Sequence, residues 1–89
     1  MTTKQIREKN EFRTFLTYKG DYPKVFDTIQ FHIEKMVLAE SEEEISSNWK
    51  DIVLILETLQ DCEILDEDEF SYLVSYFYRK YKGYSKIGE

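Results

Sequence analysis

With 89 residues the chain is one domain, too small to enclose a large cofactor in a deep cavity. Its composition is 42% hydrophobic and 34% charged with a net charge of −6, which excludes an intrinsically disordered chain and disfavours a partner that is itself a polyanion. A single cysteine, Cys62, leaves no intrachain disulfide, no stretch approaches the roughly 20 apolar residues that span a bilayer, and residues 1–9 lack the apolar segment of a signal peptide. No membrane partner is expected, and the expected location is cytoplasmic.

The N-terminal segment, residues 1–20, is the least defined. Phe12, Phe15 and Leu16, with Lys19, fit a short helix ending at Gly20, whereas Phe12, Thr14, Leu16 and Tyr18 fit a strand by alternation. A lone strand in a helical chain could pair only with a second copy of itself, so a short helix is expected.

Pro23 suits a first helical turn. Tyr22, Val25, Phe26, Ile29, Ile33, Met36 and Val37 then recur at three- and four-residue spacing, giving one apolar stripe on a helix of about four turns that fades at Ala39, Glu40 and Ser41. Ser41 followed by Glu44 is a capping-box pattern and opens a second stripe of Ile45, Trp49, Ile52, Val53, Leu56 and Leu59, with Ile55 on its flank. Ser46, Ser47 and Asn48 would also permit a later start. Asp66 and Glu69 form a second box, with Leu65 and Phe70 spaced as a hydrophobic staple. The third stripe is Phe70, Leu73, Val74, Phe77, Tyr81 and Tyr84. Arg79, Lys80 and Lys82 fall in its last turns, where cations complement the helix dipole, and Gly83 suits the left-handed position just past the end.

Each stripe alone would leave its apolar side in water, and the short connections around Gly20, Glu40 and residues 63–65 favour antiparallel neighbours. The expected fold is therefore all-α: a small antiparallel bundle of three to four helices in one domain. Trp49, Ile52, Leu56, Phe70, Phe77, Ile29 and Ile33 are the expected centre.

The sequence carries few residues suited to chemistry. His32, the one histidine, has no acid or second histidine three or four residues away, and reads as a half-buried structural residue on the stripe's edge. Cys62 stands between Asp61 and Glu63, which oppose thiolate formation. The run of acids from Asp66 to Glu69 lacks the alternating ligands and central glycine of a calcium loop, and capping accounts for it. Phosphate loops, nucleophile elbows and zinc patterns are absent from the sequence. No catalytic residue, cofactor or metal is expected, and the chain is read as a non-enzymatic binding protein.

Charge says more. Between Glu40 and Glu69 the only cation is Lys50, while Lys4, Arg7, Lys9 and Arg13 gather at one end and Arg79, Lys80, Lys82 and Lys86 at the other. The acidic middle would attract a basic protein, although acids also favour helix N-termini for purely local reasons. Tyr72, Tyr76 and Arg79 fall off the third stripe and read as an outward face, and Phe31, Leu38 and Leu54 fall off theirs. The expected partner-binding residues are Glu42, Glu43, Glu44, Asp66, Glu67, Asp68, Tyr72, Tyr76, Arg79 and Phe31.

These features are expected of a small acidic inhibitor of a basic, nucleic-acid-processing protein. By analogy of size and helical content alone, phages and mobile elements encode such antagonists, anti-defence proteins among them. The alternatives are a bacteriocin or toxin immunity protein, a small nucleic-acid-binding regulator using the basic termini, and a homodimer that buries Phe31, Leu38 and Leu54 between copies. An acidic net charge weighs against direct binding to nucleic acid.

Overall fold

In the computed structural model the described residues are 1–84, with side chains as far as Lys80. They form four helices: α1 (Thr3–Asp21), α2 (Pro23–Val37), α3 (Glu42–Asp61) and α4 (Glu67–Tyr84). The protein is a small all-α bundle, as the stripes require.

The N-terminal segment is a helix of 19 residues, longer than the short helix expected there. It begins at a capping box that the sequence carries as Thr2 and Gln5: the Thr2 hydroxyl accepts from the Gln5 N–H at 3.2 Å, and the Gln5 side-chain oxygen accepts from the Thr2 N–H at 2.9 Å. Gly20 does not end it. The break comes at Tyr22 (φ −131°, ψ 61°), the single residue between α1 and α2. Pro23 is the cause: its ring disfavours helical geometry in the residue before it, and its missing N–H costs nothing at the first helical position.

The α2 stripe buries Phe26, Ile29, Ile33 and Met36, but Val37 lies on the exposed flank. Ser41 caps α3 from its predicted position, so the later start is not used. This box is open on one side: the Ser41 hydroxyl accepts from the Glu44 N–H, while the Glu44 carboxylate reaches one residue further, to the Glu40 N–H. The box at α4 is reciprocal, with Glu69 N–H to Asp66 Oδ1 at 2.8 Å and Asp66 N–H to Glu69 Oε1 at 3.0 Å.

Between them, α3 ends in a Schellman motif. The Ile64 N–H donates to the Leu59 carbonyl and the Glu63 N–H to that of Gln60, both at 3.0 Å. Glu63 holds the left-handed position at φ 62°, where glycine is the usual occupant. Gly83 is not a terminator, because α4 continues through Tyr84. The side chains of Tyr81, Lys82 and Tyr84, and all of Lys86, lie outside the described residues.

The closest helix pairs are α2 with α3 and α1 with α4, and α4 also packs on α3 and α2. Ile29, Ile33, Ile52, Leu56 and Phe77 are buried at the centre as expected, joined by Leu73 and Leu65. Trp49 and Phe70 are only partly buried and line the rim. Tyr76, expected on an outward face, is only 9% exposed and belongs to the core. The long α1 covers that flank of α4, and the Phe15 ring stacks on Tyr76 at 4.4 Å. Among the described residues no helix is long and apolar enough to cross a membrane.

Candidate functional site

α1 lies on α4 through a polar seam that sequence reading missed. Its inward face is Arg7, Glu11, Phe15 and Tyr18, at helical spacing, whereas Phe12 and Leu16 are half exposed. Glu11 is 0% exposed, the one buried charged residue among those described. Its carboxylate ion-pairs with Arg7 Nε at 3.2 Å on one oxygen and with Arg79 on the other. Neither oxygen receives a well-directed hydrogen bond, so the pairing is ionic contact with two guanidinium groups. Arg7 also donates to the hydroxyls of Ser71 (3.0 Å) and Ser75 (3.4 Å) and lies over the Tyr72 ring. The i, i+4 spacing of Arg7 and Glu11 was the available signal; only contact with Arg79 shows that the pair is interior.

Tyr18 ties the other end of α1 down. Its hydroxyl is within hydrogen-bond reach of the Ile64 carbonyl and donates to the Glu69 carboxylate. Burial first, then that hydrogen bond and the nearby negative charges of Glu69 and Asp66, hold the phenol well above its ordinary pKa.

The expected binding residues therefore do not form one surface. Tyr76 is interior, Arg79 is engaged by Glu11, and Tyr72 is half-buried beneath Arg7. Glu42, Glu43 and Glu44 lie at the start of α3, while Asp66, Glu67 and Asp68 follow its end. A helix of 20 residues separates the two clusters by about 30 Å. Glu44 and Asp66 are also occupied as caps.

The large apolar side chains that the structure leaves exposed include several on α2 and α3. Phe31 and Leu38, two turns apart, point away from the core on α2, with Val37 beside them. Leu54 does the same on α3, and all four are exposed, Leu38 at 79%. The N-terminal segment leaves them uncovered because it packs on α4. Lys35 holds its ammonium over the Phe31 ring at 5.0 Å. A shallow groove of about 330 Å³ runs past Gln30, Ile33, Glu34, Val37 and Leu38.

This pair also carries the charge. Residues 23–61 hold nine carboxylates and three lysines, a balance of −6, while residues 1–22 at +2 and 62–89 at −2 cancel. The whole net charge of the protein thus resides on these two helices and the connection between them, which carries Glu40.

No protein-family model matches this chain, and comparison with characterised proteins and with solved structures finds no match.

His32 sits at the seam between α2 and α3. Its Nδ1 is 3.0 Å from Asn48 Oδ1 and 3.7 Å from an Asp51 oxygen. Asn48 donates its amide N–H to the Glu44 carbonyl at 2.8 Å, which turns Oδ1 toward the imidazole and assigns the ring proton to Nδ1. The contact is a helix-to-helix tie. Cys62 is exposed at the C-cap of α3. Among the described residues no three His, Cys, Asp or Glu side chains converge as a metal site.

Proposed function

We propose that the protein is a non-enzymatic binding module whose α2–α3 face docks on a basic surface of another protein. The observation that carries this reading is the coincidence, within residues 23–61, of the full −6 charge with the exposed Phe31, Val37, Leu38 and Leu54. Exposed apolar residues supply desolvation energy at the centre of an interface, and surrounding carboxylates select a cationic partner and speed its approach. Inhibition of a basic, nucleic-acid-processing protein is the activity this proposal favours, because such proteins present the required cationic surface.

The test is affinity capture from the native host with three baits: the natural protein, Leu38→Ser, and Glu42→Lys with Glu43→Lys. A basic protein retained by the first and lost by both variants, with retention falling as salt rises, supports the reading. Equal retention by all three baits removes it. Loss on altering Lys4 or Arg7 instead would transfer recognition to the α1–α4 side.

A further inference from the structure

We propose that the cleft between α1 and α4 binds the phosphate group of a small phosphorylated molecule, independently of the α2–α3 face. The cleft has a volume of about 410 Å³, and its walls include Lys4, Arg7, Glu8, Glu11, Ser75 and Arg79.

The arrangement exceeds what burying one carboxylate requires. A single guanidinium neutralises Glu11; the second leaves a fixed surplus of positive charge, and Lys4 adds to it. Glu8 opposes them, so the cleft keeps a balance of +1 from three cations and two carboxylates. Both arginines remain open to the cleft, with side chains 49% (Arg7) and 43% (Arg79) exposed. Arginine carries five N–H donors, more than the contact of Arg79 Nη1 with one Glu11 oxygen can use, and the Arg79 side chain is open enough to offer the others to the cleft. Glu11 and the hydroxyls of Ser71 and Ser75 hold the Arg7 guanidinium in place, so little side-chain entropy remains to be lost when an oxyanion arrives.

Three cations around one cleft suit an anion with three terminal oxygens better than a planar carboxylate with two. The volume falls in the range of small-ligand sites and is larger than bare phosphate needs, which points to a phosphate carried on a larger body. A nucleic acid strand would have to place further phosphates near a protein of net charge −6, so a small molecule is the better-matched source.

Titration of the isotope-labelled full chain at low salt, followed by amide chemical shifts, tests this with three probes: inorganic phosphate, adenosine monophosphate and a short single-stranded DNA. Saturable shifts confined to residues 4–11 and 71–79 are expected, with the mononucleotide tighter than inorganic phosphate. Lys4→Gln, an exposed change that leaves the Glu11 pairing intact, is expected to weaken binding about threefold, and Arg79→Gln about tenfold. If Arg79→Gln fails to fold, Lys4→Gln decides. Shifts that do not saturate, that spread equally to Lys24, Lys35 and Lys50, or that are unchanged in Lys4→Gln overturn the proposal. Tighter binding of the DNA than of the mononucleotide overturns the small-molecule assignment.

Discussion

Arg79→Ala and Glu11→Leu touch the same ion pair and are expected to differ sharply in cost. Glu11 is fully buried, whereas the Arg79 side chain is 43% exposed. Removing the arginine strands half of a carboxylate's compensation inside the protein, where losing one partner of a buried pair costs about 3–5 kcal/mol. Arg7 remains on the other oxygen and water can enter where Arg79 stood, so the expected loss is about 2–3 kcal/mol. Removing the acid instead leaves two arginines that already reach solvent, and leucine fills the space with an apolar group of similar size. That change is expected to lie within about 1 kcal/mol of neutral. The double variant should then match Glu11→Leu alone, so that deleting the acid rescues deletion of the base. For a domain of this size about 2–3 kcal/mol corresponds to a fall in Tm of roughly 8–24 °C. Urea denaturation followed by circular dichroism measures all four proteins, with an unchanged slope as the check that the unfolded states are comparable. Equal losses in the two single variants, adding in the double, would refute the claim that the seam is organised around a buried charge.

Three further outcomes are expected. Glu63→Gly should raise Tm by about 2–8 °C, because it relieves a side chain at φ 62° at a net gain of about 0.5–1 kcal/mol, and Glu63→Val should lower it. Gly20→Ala should stabilise by about 0.5 kcal/mol, since Gly20 lies within α1 with open space at the added Cβ; a loss in urea midpoint would contradict this. Tyr18 has its folded pKa raised above the unfolded value near about 10, so its contribution is complete below that pH and declines as pH climbs above it. Tyr18→Phe should accordingly show a shallower alkaline loss of stability than the natural protein between about pH 10 and pH 11, and identical slopes would remove the assigned role.

The elements were largely legible in the residues. Three apolar stripes, Pro23 at a first turn, Ser41 and Asp66 as caps, and short connections specify three of the four helices, because periodicity and end chemistry are local properties of a chain. α1 was less legible. Its inward face mixes Arg7 and Glu11 with Phe15 and Tyr18, and a stripe built half from charges cannot be told from a solvated one by hydropathy. Reading Phe12 and Leu16 as its core side followed from that.

The binding surface was legible only in part. Phe31, Leu38 and Leu54 stand off their stripes in the sequence, and they are exposed in the fold. Tyr72, Tyr76 and Arg79 stand off theirs by the same criterion, and were expected outside for the same reason. Which of the two off-stripe faces would be covered depended on where α1 came to rest, and the chain order does not contain that information.

Sequence by itself therefore determined that this protein is helical, where its later helices begin, and that its middle is acidic, since each follows from neighbours a few residues apart. Tertiary structure decided that Glu11 is interior, that Tyr76 is core and Leu38 surface, and that Lys4 and Arg7 meet Arg79 across one cleft. Those outcomes depend on contacts between residues some 60 or more positions apart, such as Arg7 with Ser71, whose sequence separation is 64. Packing one long helix against another selects such pairs by shape and charge over their whole length, and no local pattern encodes the choice.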